Sequence, residues 1–388
     1  MSNSGFTPKQ RMLNAYRGLA SDRYPVAPEF WNYFPAKKLK VDMVEFEREI
    51  PFWQSLQQVF VMYGCEGWGA VFPDIVRHDV GINESFKRAG EGRYREEIIY
   101  RHNGNEFVTV KEFHSADPSW VVKRLAEPAD LAAAVDMLLC PEYELAARDM
   151  IDAHRKVGED YLLEVWLGLP FFDFIAEIIG FEQAALYFIE EDEPTLEHYR
   201  GRYTAYQLGL VRSCLDNTDF ESYVIGCSYS CNSLLGASLW RKWDKPYIKT
   251  IADYLHSRGK LLHIHFHGRS RQTLVDFAEI GVDCVCPFER PPGGDIEGPG
   301  SLAEARRLLA DKVTFNGNVS TVETLIRGTP ADVRREIDEI AAAFEGSTRL
   351  IIGTGDQVGY ETKDENIEEM ISYGKKQKVH TQGGKSDG

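Results

Sequence analysis

The sequence predicts a (β/α)8 barrel of TIM type carrying one inserted subdomain. Three observations predict it: eight short β-branched or aromatic runs bounded by turn residues, helical periodicity between most of them, and a single stretch that breaks the alternation. The runs are 24–30, 70–74, 161–168, 223–230, 261–268, 282–288, 313–319 and 350–356. Between them, segments 247–257, 271–280, 302–309 and 331–344 place apolar residues at i, i+3 and i+4, which is the spacing of one buried helix face. Strand and helix alternating to this count close into a barrel more readily than they spread into an open doubly wound sheet, the alternative architecture. The break lies after the second strand. Segment 94–113 reads as a hairpin turning at Asn103-Gly104-Asn105, and 125–157 follows with helical periodicity, so residues from about 90 to 157 are expected as an insertion capping the barrel. One barrel domain over 1–374 and a polar, disordered tail over 375–388 complete the expected organisation.

Composition sets outer bounds on function. The 388 residues carry 44 Lys plus Arg against 60 Asp plus Glu, a net charge of −16, with no Lys/Arg-rich block before Lys375-Lys376-Gln377-Lys378. That balance argues against nucleic acid or an anionic membrane as a partner. No window approaches the ~18 consecutive apolar residues of a membrane helix, and Met-Ser-Asn-Ser-Gly lacks the build of a signal peptide, so a cytoplasmic address is expected. Seven cysteines spread over a long chain read as thiols or metal ligands, not as a disulfide framework. Cys284 and Cys286 on the sixth strand, and Cys227 and Cys231 flanking the end of the fourth, lack a Cys-x-x-Cys knuckle and are read as packed thiols.

The chemistry concentrates on the fifth strand. In 261–268, Leu262, Ile264 and Phe266 alternate with His263, His265 and His267, so the apolar side packs on the outer helices and three imidazoles point inward. Barrel sites sit at the C-terminal rim, which favours His265 and His267. Residues two apart on a strand are separated by ~6.6 Å, so these two can converge on one ion, whereas His263 lies ~13 Å below His267 and is the weaker ligand candidate. Aromatic residues Phe30, Phe34, Trp68, Phe171 and Phe172 fall near strand ends, where they are expected to wall a substrate pocket.

A series of short motifs in fixed order then resembles the uroporphyrinogen decarboxylase superfamily, which includes the decarboxylase itself and zinc, cobamide-dependent methyltransferases. They are Pro8-Lys9-Gln10-Arg11-Met12-Leu13, Asp22-Arg23-Tyr24-Pro25-Val26, Phe72-Pro73-Asp74-Ile75, Pro170 through Gly180, Pro246-Tyr247, His265-x-His267-Gly268, Asn316-Gly317-Asn318-Val319, Gly328-Thr329-Pro330, and Thr362 with Glu365-Asn366. The resemblance implies the same barrel. The decarboxylase clamps a polycarboxylate with an arginine pair, and those positions carry Phe30 and Phe34 here. Its tyrosine falls on Ala176 and its late histidine on Asp356; only its aspartate, at Asp74, and its serine, at Ser230, are kept. The methyltransferase branch maps its zinc ligands onto His265, His267, Glu289 and Asp356, with histidine and aspartate in place of two cysteines. Nitrogen and oxygen donors make a harder Lewis acid than thiolates, which suits polarising an oxygen that loses a methyl group.

The sequence therefore points to a metal-dependent methyltransferase, closer to that branch than to the decarboxylase. Zinc is the expected metal, and a cobamide is expected to arrive on a corrinoid partner protein, since no segment resembles a corrinoid-binding domain. Asp74, Ser230 and Asp356 are the expected catalytic residues, and the demethylating half-reaction is favoured. A decarboxylase-like lyase acting on a smaller acid, with Asp74 at its centre, and a non-catalytic binding barrel are the alternatives. The methyl donor or acceptor and the oligomeric state are not encoded in any motif.

Overall fold

The structure is a computed structural model and describes residues 5–379. All eight expected strands form: β1 (Val26–Ala27), β2 (Trp68–Val71), β3 (Leu162–Trp166), β4 (Ser222–Cys227), β5 (Leu261–Phe266), β6 (Cys284–Phe288), β7 (Thr314–Val319) and β8 (Leu350–Thr354). They make one curled parallel sheet in the order β2-β3-β4-β5-β6-β7-β8-β1, the arrangement of a (β/α)8 barrel. At the seam between β1 and β2 a side chain spans the gap. The buried Glu66 carboxylate, immediately before β2, accepts from the Val26 backbone N–H at 3.0 Å and from Arg23 at 2.5 and 2.9 Å.

The period-two pattern divides inside from outside as expected. Leu262, Ile264 and Phe266 pack in the large core between sheet and helices, beside Tyr223 and Ile225 of β4 and Val285 of β6. Val224, Cys284, Cys286 and Ile351 face a smaller core inside the barrel. Its N-terminal end is plugged by helix Pro8–Arg17, which contributes Met12, Leu13, Ala15 and Tyr16. That helix starts where its sequence says it should, with Pro8 in its first turn and a Thr7/Gln10 capping box that satisfies two otherwise free N–H groups.

The insertion is larger than the expected hairpin. Strands Gly81–Gly90, Arg93–His102, Asn105–His114 and Trp120–Lys123 form a four-stranded antiparallel sheet, and the central pair turns at Asn103-Gly104 with φ of 47° and 79°. Positive φ at both positions is the reason for Asn-Gly there. The expected helical stretch 125–157 divides into helix Leu131–Leu138, a short strand Tyr143–Leu145 paired with Ile75–Arg77, and helix Arg148–Val157 leading to β3. Of the tail, residues 375–379 are described: Lys375 Nζ donates to Gly64 O at 2.6 Å, and the Tyr24 N–H donates to Gln377 O at 3.2 Å. The remainder, 380–388, lies outside the described residues. No described helix is long and apolar enough to cross a membrane.

Candidate metal centre

His263 and His265 of β5, with His267 immediately after its end, climb the barrel axis into three different surroundings. His263 is fully buried; its Nδ1 lies 2.9 Å from Glu164 Oε2 of β3 and 3.2 Å from Tyr16 OH of the plugging helix. Ser222 Oγ donates to the other Glu164 oxygen at 2.6 Å. A carboxylate only accepts, so Glu164 assigns the Nδ1 proton to His263 and leaves Nε2 facing Cys286 Sγ at 2.9 Å. This lowest layer is a closed hydrogen-bonded network, in line with His263 being the weaker ligand candidate.

One step up, His265 places Nδ1 3.3 Å from Cys286 Sγ and Nε2 3.8 Å from Glu29 Oε1, all three side chains being buried. Trp31 stacks on the imidazole at 6.0 Å, and Trp68 packs at 5.3 Å. Burial, with the neighbouring His267 and His263, holds His265 well below the ordinary imidazole range. Burial, reinforced by the Asp356 charge, pushes the Glu29 carboxyl up to about 8.

At the rim His267 Nδ1 lies 3.3 Å from Glu289 Oε1 and 4.0 Å from Asp356 Oδ1. Its ring meets that of His265 edge-on at 4.4 Å. The His267 and Asp356 side chains remain 33% and 42% exposed, so this layer opens to the barrel mouth. Glu289 is fixed by the Gly268 N–H at 2.6 Å, and Asp356 accepts from the Gln357 N–H at 2.6 Å. Burial would lower His267, but the Glu289 bond and the charges of Asp356 and Glu29 win and raise it to about 9. Burial raises Asp356, partly offset by His267.

The structure thus divides the expected ligand set. His267, Glu289 and Asp356 bring one donor atom each within 4.8 Å of one another, while His265 groups instead with Glu29 and Cys286. The reason is register: residues two apart on β5 point the same way but sit a layer apart, and each layer meets different neighbours. One imidazole with two carboxylates fits a divalent cation such as zinc, being the nitrogen and oxygen donors such ions take.

The remaining expected residues scatter. Phe30 and Phe34 stack on each other at 5.1 Å and pack on Phe60 and Tyr63, while Phe171 and Phe172 pack against Phe188; all four are core residues, not pocket walls. Trp68 alone of that group reaches the histidines. Asp74 lies exposed beyond the end of β2, where its backbone carbonyl accepts from the Ala146 N–H. Ser230 is buried past β4 and joins neither ligand group. Sequence reasoning passed over Glu29, which lies within the run that became β1 and could have been marked as a carboxylate near that strand's rim end. Glu164 was also passed over, although it occupies an inward position of β3.

Aromatic side chains rim the centre. Trp166 at the end of β3 packs on Trp31 at 6.3 Å and on Phe72 at 5.8 Å. Its indole lies over Gly226, the β4 partner of His265, where a Cβ would fall 2.3 Å from the ring. Beyond Trp166 opens a cleft of about 290 Å³, walled by Phe72, Leu169 and Tyr206 among others, with Arg77, Glu177 and Gln207 among its polar members.

With this geometry the chain can be set beside known proteins. Residues 221–377 match the family model described as uroporphyrinogen decarboxylase (URO-D). A methyltransferase from Methanosarcina mazei superposes with a TM-score of 0.60 at 16% identity, over 96% of this chain and 99% of that one. Two muconate cycloisomerase variants reach TM-scores of only 0.27 and 0.28 at 11% identity, over 78% of each chain. No curated protein matches the sequence. Over residues 221–377, therefore, this chain is similar to the uroporphyrinogen decarboxylase family, and over its whole length it shares the fold of that methyltransferase.

Proposed function

We propose that this protein is a metal-dependent methyltransferase that moves a methyl group from a small methoxylated or aromatic substrate to a corrinoid carried by a separate protein. The observation that carries the reading is the His267, Glu289 and Asp356 donor set at the open barrel mouth. A divalent ion such as zinc there would supply the Lewis acidity that polarises the oxygen losing the methyl group. Glu289, clamped by the Gly268 N–H, would be the fixed ligand of such an ion, and the more exposed Asp356 the member that substrate could displace. Trp31, Trp166 and Phe72 present apolar faces that hold an aromatic ring and keep water from the reacting carbon. The similarity in fold to a methyltransferase supports the same reading.

A decarboxylase is disfavoured by packing. Phe30 and Phe34 occupy the positions of the decarboxylase's arginine pair, and both are sealed in the core, so no polycarboxylate clamp exists there. Two assays test the proposal together. Protein purified without chelator should contain a divalent metal and methylate a reduced corrinoid from a methoxylated aromatic, and it should not convert uroporphyrinogen. Metal-free protein that produces coproporphyrinogen at an enzymatic rate would reverse the assignment.

A further inference from the structure

Beneath the rim lies a second set of metal donors that the methyltransferase reading does not use. We propose that Glu29, His265 and Cys286 form an inner, thiolate-containing site for a borderline-soft transition ion, zinc(II) or cobalt(II), separate from the rim donors. The three residues come from β6, β5 and the segment after β1, and bring one donor atom each within 4.8 Å of one another. Donors on a tetrahedral ion with bonds of about 2.0–2.3 Å stand roughly 3.3–3.8 Å apart. The closest pair, His265 Nδ1 and Cys286 Sγ at 3.3 Å, stands at that spacing, and Glu29 brings a carboxylate oxygen to the same group. Trp31 and Trp68 pack against the His265 ring and fix its plane.

The layer below supplies what a thiol ligand requires. Binding forms an Sγ–metal bond and breaks the S–H bond, so a proton must leave. That proton is released to solvent on binding, and His263 Nε2, 2.9 Å from Sγ, is the hydrogen-bond partner that orients the sulfur, with Glu164 holding the His263 ring from its Nδ1 side. A buried Glu-His-Cys chain is unusual in a barrel core that could be filled with aliphatic side chains. Sulfur in the set selects against magnesium and calcium, whereas the rim's nitrogen and oxygen donors do not exclude them.

The test uses full-length protein stripped with chelator and titrated with cobalt(II) alone, watching for sulfur-to-cobalt charge transfer in the near ultraviolet and counting bound ions after desalting. Wild type should show the band; Cys286→Ser should lose it and one equivalent of metal, while the His267→Ala/Asp356→Ala double variant should keep the band and lose the other equivalent. A wild type without the band, or a Cys286→Ser protein that retains it, overturns the inner site. Retention of every equivalent by the double variant would instead overturn the rim site and leave the inner one standing. Should Cys286→Ser fail to fold, X-ray absorption of zinc-loaded wild type decides: one sulfur at about 2.3 Å per inner ion is expected, and a shell of nitrogen and oxygen alone refutes it.

Discussion

The lower and upper ends of the histidine ladder that β5 starts and the residue after it completes carry the same side chain toward the barrel interior, yet their surroundings differ in kind. His263 is enclosed by Glu164, Tyr16 and Cys286, with no exposed surface and a partner at each ring nitrogen. His267, four residues on, has one close carboxylate, a second at 4.0 Å and an open side. A buried polar group must be satisfied by the protein, and that satisfaction costs it freedom to bind anything else. A rim group keeps a free coordination direction because water can fill it until a ligand arrives. The comparison teaches that height in the barrel, more than residue type, separates scaffold from chemistry.

The sharpest way to break the comparison is to remove the rim donors. The His267→Ala/Asp356→Ala protein should lose methyl transfer by at least ~10⁴-fold, about 5.5 kcal/mol of barrier, while its denaturant midpoint stays near wild type. Loss of fold without selective loss of turnover would show that the upper layer is structural after all. The opposite pattern is expected below. Glu164→Ala leaves the His263 Nδ1–H and the Ser222 hydroxyl buried without their acceptor and should destabilise the protein by about 1–3 kcal/mol for each group in chemical denaturation, with metal still bound at the rim by the protein that folds.

Between these extremes lies Gly226, whose missing side chain lets Trp166 lie across the barrel. In Gly226→Ala the new methyl would meet the indole at 2.3 Å, so the ring must move at a cost of roughly 1–3 kcal/mol. Because Trp166 faces the substrate side, KM should rise more than kcat falls; equal changes in both would place Trp166 outside the binding surface.

The smallest effect is one of pH, read at the foot of the barrel. Glu221, just before β4, pairs with Lys9 of the plugging helix at 2.7 Å and with His154 at 3.3 Å. Burial opposes its ionisation, but the hydrogen bonds and charges of His154 and Lys9 dominate and hold it down at about 2. A carboxyl depressed on folding stabilises the native state above its unfolded value, near pH 4.5, and that stability is lost as pH falls toward 2. Acid titration of the denaturation midpoint should therefore show a loss of roughly 1–2 kcal/mol across this window, reduced from the full shift because the side chain is partly exposed. Glu221→Gln should flatten that part of the curve, and an unchanged curve would detach the foot of the barrel from this pair.

Much of the architecture was written in local pattern. Eight β-branched runs, the alternation of 261–268 and the Asn103-Gly104 turn are properties of neighbouring residues, and periodicity is a local physical requirement that any folded arrangement must honour. The grouping of His267, Glu289 and Asp356 was legible because the spacing of the motifs that resemble the superfamily marks those three positions. The sequence alone could not assign layers. Whether His265 joins His267 or Cys286 depends on the stagger between β5 and β6, in which His265 pairs with Cys286 in register, and on Glu29 arriving from the segment after β1, some 236 residues earlier in the chain. Burial of Phe30, Phe34, Phe171 and Phe172 was likewise decided by helices packed over them, not by their proximity to strand ends. Periodicity fixes which face a side chain occupies, whereas what it meets on that face is a contact between distant segments, and only closure of the barrel brings those segments together.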